Sequence, residues 1–477
     1  MQLFNHQSEA IEIGKDRNQL FAHDCGVGKT RTAIEVCKYF IDILNRCGGA
    51  ALVICPIPVI RDAWYKDLAQ FSDFTYTEIR ADSLKGRQKL LNRKVDFYIT
   101  NYDTVRSMFK DLSEKCFNVL IVDESSKIKN PKSQITQAVM AFAGFKLRGS
   151  RFHSDWIIPH RYCLSGTPAP NSELEYWPQI KTITGPGNKG FNDNFYAFRN
   201  RYFRNIFQGK MTQAQKWVLK RALEDGQDAK TALMASMSPF IHVVRKEDAL
   251  DLPEQVEEVR SVELSDIEQE HYDRMEADCV LRFGDESVLA VNAISEIMKL
   301  RQLTSGFCYG EEGTHRIGHS KIEALLETLE EIGDHQVIIW ANFVDEIHEI
   351  QAALGDNCRA VYGGCDDRLS AILDFQQGHV KYLVANPQCA GHGLTFVNCS
   401  YAVYFSQDYS FELHKQSMDR IHRIGQVNKC TYLYLIARGT IDELIYKAVT
   451  HKGEIANETL AWLRAKRAGM PHVKQTA

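Results

Sequence analysis

The 477-residue sequence predicts an α/β protein made of two tandem parallel-sheet lobes with helical insertions. Through the first 170 or so residues, short apolar runs alternate with helical stretches; the runs fall at 19–22, 51–55, 97–100, 119–123 and 162–165. The same alternation resumes at 337–340, 382–385, 402–405 and 431–436. Between them, from about 172 to 320, strand signals thin and helical stretches with aromatics dominate, as in FNDNFYAF at 191–198. Strand–helix alternation predicts a parallel sheet with helices on both faces. Ligands in such sheets bind at the carboxyl ends of the strands. The polar segment around 245–254 is expected to connect the lobes. The expected organisation is a first lobe over 1–245, a connection and helical protrusion over 246–320, a second lobe over 321–450, and a helical tail over 451–477.

Composition describes an ordinary water-soluble chain, with 44% hydrophobic and 25% charged residues. No run of 18 apolar residues is present, so no membrane span or membrane partner is expected. The start, MQLFNHQSEA, lacks the basic and apolar regions of a signal peptide. Thirteen cysteines without a Cys-x-x-Cys pair argue against a zinc site and a disulfide scaffold, and for a reducing cytosol. The net charge of −4 counts mildly against a nucleic-acid binder. Local field matters more than the total, and Arg199, Arg201 and Arg204 form one candidate basic patch. Arg464-Ala-Lys-Arg in the tail forms another.

After the first strand comes Asp24-Cys25-Gly26-Val27-Gly28-Lys29-Thr30, opening a helix expected over 30–40. Glycines let backbone N–H groups wrap phosphates, and a helix N-terminus adds a favourable dipole. Lys29 is placed to reach the β- and γ-phosphates of ATP, and Thr30 to bind Mg²⁺. His23 stands where the full pattern has its first glycine. The apolar run 119–123 ends in Asp123 and Glu124. Asp123 suits a Mg²⁺ held mostly through water. Glu124 suits the orientation and deprotonation of an attacking water.

Residues 416–426 read QSMDRIHRIGQ. Read as helix, Gln416, Arg420 and Arg423 fall at i, i+4 and i+7 on one face. Two arginines presented together suit a clamp on a polyphosphate.

These strings together resemble the motor core of Swi/Snf-type DNA translocases, a branch of the superfamily two helicases, and in particular its small annealing-helicase-like or phage-type members. The QSMDRIHRIGQ string is similar to the family's arginine-finger motif, and LSGTPAPN at 164–171 to its motif III. Cys55-Pro56 followed by Trp64 is similar to motif Ia, and Thr100-Asn101-Tyr102-Asp103 to motif Ib. Residues 243–253 are similar to the interlobe stretch, Leu300-Arg-Gln-Leu303 to the opening of the second lobe, and AGHGLT at 390–395 to motif V. The likeness runs over about 2–445. Two departures stand out: Ser126 replaces the usual His of the acidic motif, which puts that motif's coupling to motif III in doubt. Tyr409-Ser-Phe411 replaces a Trp-Asn-Pro, and Tyr409 is expected to pack rather than catalyse.

The resemblance implies two RecA-like lobes, each supplying half of an ATPase site. Gln7, expected just before the first helix beside Phe4, would read adenine. Gly393 would join the nucleotide contacts, and Arg420 and Arg423 would arrive when the lobes close. Thr100, Asn101, Tyr102 and Thr395 would hold DNA backbone, with Ser165 and Thr167 linking nucleotide state to grip. The implied partner is double-stranded or branched DNA, held without sequence readout. The implied location is the cytoplasm (the nucleoid or a phage-infected cell), or the nucleus in a eukaryote. Alternatives are a strand-separating helicase on branched DNA or RNA, a nucleotide-regulated binding module without hydrolysis, and the motor part of a restriction system.

Overall fold

The computed structural model describes residues 3–44, 50–146, 149–188, 191, 193–206, 217–283, 286–289, 293–311, 313–365, 367–390 and 394–450. The chain divides into two compact units, Met1–Asp251 and Leu252–Ala477. The expected tail over 451–477 lies outside the described residues.

In the first unit, helix α1 (Asn5–Asp16) leads into strand β1 (Gln19–His23), and helix α2 (Lys29–Leu44) follows. Strands β2 (Ala51–Ile54), β3 (Tyr76–Glu78), β4 (Phe97–Thr100), β5 (Val119–Asp123) and β6 (His160–Leu164) come next. The short β7 (Phe203–Asn205) and β8 (Trp217–Leu219) pair antiparallel by themselves. Strand β9 (Ile241–Val244) completes a seven-stranded sheet of order β3-β4-β2-β5-β6-β1-β9, all of it parallel. Successive residues of a strand face opposite sides. Accordingly Leu52, Ile54, Leu120 and Val122 join one buried cluster, and Ala51, Val53, Val119 and Ile121 the other. Burial on both faces explains why these strands read as unbroken apolar runs.

In the second unit, β10 (Gln255–Val262), β15 (Val337–Trp340), β16 (Cys358–Val361), β17 (Tyr382–Ala385), β18 (Tyr401–Tyr404) and β19 (Cys430–Ala437) form a six-stranded parallel sheet of order β10-β19-β18-β15-β17-β16. Its faces carry Ile338, Trp340 and Leu383 on one side and Val337, Ile339 and Val384 on the other. Two antiparallel pairs stand apart, β11 (Val280–Phe283) with β12 (Glu286–Leu289) and β13 (Phe307–Tyr309) with β14 (Thr314–Arg316).

The nine expected strand runs are all strands, with ends shifted by up to two residues. Over about 172–320 helices dominate among the described residues, as expected, but eight strands, β7 to β14, also lie there. Most are three or four residues long, too short for a period-two pattern to stand out. Strand β10 is longer but lies at the sheet edge with one neighbour, β19, and shows mostly polar, exposed residues (QVEEVRSV). An edge strand needs no apolar run.

Candidate nucleotide-binding site

Strand β1 delivers the loop 24–28 at the carboxyl edge of the first sheet, and Lys29 opens α2. Gly26 and Gly28 sit at φ +87° and +82°, where a Cβ is strained. Gly28 is also crowded: a Cβ there would lie 2.3 Å from Gln7 Nε2. The Lys29 ammonium donates to the carbonyls of His23 (3.0 Å) and Asp24 (3.4 Å), at the head of its own loop. Val27 is buried, and its carbonyl lies 2.9 Å from His6 Nε2. Thr30 is half-buried in the first turn of α2.

The expectation that Gln7 precedes the first helix is corrected: Phe4 is the N-cap of α1 and Gln7 lies within its first turn, because its amide reaches back to the N-cap backbone. Its Oε1 accepts from Phe4 N (3.0 Å) and its Nε2 donates to Gly28 O (3.4 Å). His23, in the place of a glycine, turns its side chain toward β9, with Nε2 2.8 Å from His242 Nδ1. Burial, and then the neighbouring His242 and Lys29, push its pKa down to about 2, so the ring is neutral. Asp24 is buried and takes the backbone N–H of Lys246 on Oδ2 (3.1 Å), with Arg245 3.9 Å from Oδ1. The loop is thereby tied to the last residues before the boundary between the units.

Strand β5 brings Asp123 and Glu124 to the same edge. Asp123 Oδ2 accepts from the Trp64 indole (2.9 Å) and Oδ1 from the Glu124 backbone N–H (3.0 Å). Burial and the adjacent Glu124 push the Asp123 carboxyl up to about 6, while Trp64 and the nearby Lys29 ammonium pull it back. Glu124 holds a left-handed backbone, φ 54° and ψ 54°, uncommon for a side-chain-bearing residue. Its Oε2 is buried without a hydrogen bond. An orphaned buried acceptor next to an aspartate that feels the Lys29 ammonium fits a site that receives water, phosphate and a divalent cation.

The expected DNA-contact residues of the first unit fall behind this acid pair. Thr100 and Tyr102 are 1% and 7% exposed, so neither offers a surface to a phosphate. The Tyr102 hydroxyl donates to the carbonyls of Asp123 (2.6 Å) and Glu124 (3.1 Å). Asn101 caps the helix Tyr102–Ser107 by accepting from Thr104 N. Ser165 is buried and accepts from the N–H of half-buried Thr167 (3.1 Å). Gly166 between them packs against the first loop; a Cβ there would meet Cys25 Sγ at 3.1 Å and Cys25 N at 3.3 Å.

In the second unit, the expected helix over 416–426 is corrected. The helix Phe411–Met418 stops, and 419–425 form turns. The loop after β17 takes over: Phe396 N–H donates to the Arg420 carbonyl (2.9 Å), and Arg420 Nε donates to the Gln416 carbonyl (3.1 Å). The two arginines still converge. Arg420 Nη1 lies 3.0 Å from Leu394 O, and Arg423 Nη1 reaches Leu394 O (3.3 Å) and Thr395 Oγ1 (2.8 Å). Gln416 is buried, with Oε1 lacking a hydrogen bond. Tyr409 packs against the cluster of Tyr272, Leu300 and Ile445. Gly393 lies outside the described residues.

A phosphate-type loop and an acid pair on one parallel sheet, with an arginine pair on a second such sheet, define a helicase-like nucleoside triphosphatase. Residues 10–307 match the model of the SNF2-related domain, and 320–425 that of the helicase conserved C-terminal domain. The chain belongs to the SNF2-related family and is an ATP-using enzyme of that family. It is similar to putative protein p41 of Acyrthosiphon pisum secondary endosymbiont phage 1, 25% identical over 92% of this chain and 94% of that one. It is also 25% identical to the TATA-binding protein-associated factor BTAF1 of Arabidopsis thaliana, over 92% of this chain. To the putative ATP-dependent helicase/translocase YwqA of Bacillus subtilis it is 24% identical over 89%. It spans only 24% and 44% of those two longer proteins. Among solved structures, the Sulfolobus solfataricus SWI2/SNF2 ATPase core in complex with dsDNA is 22% identical, covering 98% of this chain and 94% of that one at a TM-score of 0.43.

Proposed function

We propose that the chain is an ATP-driven translocase on double-stranded DNA that remodels DNA or protein–DNA structures. The observation that carries this is the gathering of Lys29, Asp123 and Glu124 at one sheet edge, with Glu124 Oε2 buried and unpaired. Lys29 leaves the carbonyls of its own loop to hold the β- and γ-phosphates of ATP, beside the N–H groups that open α2. Thr30 and Asp123 are the residues that would hold Mg²⁺. A bound Mg²⁺ supplies charge neutralisation at the phosphate oxygens. Glu124 orients the attacking water and takes its proton. Arg420 and Arg423 add positive charge as charge develops in the transition state, which makes hydrolysis depend on the second unit.

DNA as the partner is supported by relatives named as helicase/translocase and as a TATA-binding protein-associated factor. It is supported also by a basic stretch in this chain. From Asn194 to Leu223 the sequence holds no acid, while Arg199, Arg201, Arg204, Lys220 and Arg221 fall among its described residues. Strand-separating activity on branched DNA or RNA is the second reading, favoured by the antiparallel pairs standing apart from both sheets. Steady-state ATPase measured with no nucleic acid, duplex, single strand, fork and RNA tests the proposal. Stimulation by blunt duplex, with displacement of a bound triplex strand, is expected. Absence of any stimulation overturns it. Lys29→Ala should abolish turnover in every arm.

A further inference from the structure

The family's usual His in the acidic motif is Ser126 here, and another residue stands between that motif and the 164–171 loop. Gln179 lies in the helix Tyr176–Thr184 and is fully buried. Its Nε2 donates to the carbonyls of Pro168 (2.5 Å) and Glu175 (2.9 Å). Two carbonyl partners fix that end as nitrogen, because neither could face an oxygen. The other end must then be an acceptor, and it receives the hydroxyl of Ser125 at 2.6 Å. Ser125 is also fully buried and directly follows Glu124. Both ends of the amide are thus engaged, and an engaged buried amide specifies a position.

The contacts continue into the 165–168 loop. Pro168 follows Thr167, whose N–H is held by Ser165. Gly166 rests on Cys25 of the phosphate-type loop. A shift of the loop 165–168 therefore reaches Ser125, and so its neighbour Glu124, through Gln179.

We propose that Gln179 is a positioning residue that transmits the placement of the 165–168 loop to Ser125 and so to Glu124, in place of the motif's missing histidine. The proposal rests on the ATPase reading above. Glutamine suits this work because it donates and accepts at once. Glutamate cannot donate to Pro168, and leucine can do neither.

The test is a double-substitution cycle with Ser125→Ala, Gln179→Leu and the pair, read as kcat at saturating ATP and as affinity for a fluorescent ADP analogue. Thermal melting checks folding. Each single substitution should lower kcat about tenfold with nucleotide affinity changed less than about twofold, and the pair should be no worse than the poorer single. Gln179→Glu should behave like Gln179→Leu, although it preserves size and an acceptor. Multiplied losses in the pair, a Gln179→Glu enzyme as active as wild type, or kcat losses that follow lost melting temperature overturn the proposal. If no nucleic acid stimulates the wild type, the translocase reading falls, but the cycle is still read on basal kcat.

Discussion

The indole N–H of Trp64 lies 2.9 Å from Oδ2 of Asp123, with the indole wholly buried. A neutral donor on a buried carboxylate fixes its plane without neutralising it. The other oxygen is fixed by the backbone N–H of Glu124. Trp64→Phe removes the donor and, with it, part of the buried ring. It should cost about 1–3 kcal/mol of stability and raise the half-saturating Mg²⁺ for nucleotide binding several-fold, leaving binding in EDTA unchanged. Equal affinity for Mg²⁺ in both proteins would show that the indole only fills space.

Asp123 also makes the fold dependent on pH. Its pKa rises from 3.8 to about 6 on folding, mainly through burial. A raised carboxyl favours the folded state fully below the unfolded value, and that contribution is lost as pH rises through about 6. At pH 7.5 the ionised group is a net cost. Asp123→Asn cannot ionise, though its amide leaves one of the two donors, Trp64 or Glu124 N–H, facing nitrogen. A net gain on the order of 1 kcal/mol is expected at pH 7.5, shrinking toward pH 5. Melting temperatures in EDTA at both pH values check this. A variant less stable than wild type at pH 7.5 would show that the carboxylate is not strained.

Much of this was legible because parallel strands buried on both faces leave unbroken apolar runs, as β2 and β5 do. The glycine-bearing loop and the acid pair announce themselves by residue type. What the sequence hid lies in orientation and distant contact. Tyr102 reads as a surface residue beside Asn101, yet its hydroxyl reaches the carbonyls of Asp123 and Glu124. Gln179 lies in WPQIKTI beside Lys181 and Thr182, and nothing in that string marks it as a residue that joins the 165–168 loop to Ser125. The 416–426 run keeps helical spacing, but a helix end is decided by the partner its carbonyls find. Here Phe396 supplies one, from a loop far away in sequence.

Arg420 and Arg423 should separate on substitution, because their surroundings differ. Arg420 is 7% exposed and bound to the carbonyls of Gln416 and Leu394. Arg420→Ala removes the donor on the Gln416 carbonyl and the shorter of the two on Leu394 O, which Arg423 still reaches, and should cost about 1–3 kcal/mol. Arg423 is half-buried and binds Thr395 Oγ1. Arg423→Ala should melt within a few degrees of wild type, yet lose about 10³-fold in kcat with ATP still bound. Loss of ATP binding together with folding at position 423 would assign that arginine to the scaffold.

The basic stretch of the first unit offers the sharpest test of the proposed hold on DNA. Phe203 of β7 is buried in the cluster of Trp177, Phe198 and Leu233, with Leu219 of β8 packed against it. Arg204, next along β7, therefore points the opposite way and is exposed, as are Arg201 and Arg221. Arg199 is held over the Trp217 ring at 3.7 Å from its centroid, which stiffens this small unit. Three exposed guanidiniums on a rigid support suit phosphates, whose spacing does not depend on sequence. Replacing Arg201, Arg204 and Arg221 together by glutamine should leave melting and DNA-free ATPase unchanged. It should weaken duplex binding and reduce the slope of log affinity against log salt by about 2–3, since each lost phosphate contact removes about 0.9. An unchanged slope would place the duplex elsewhere on the chain.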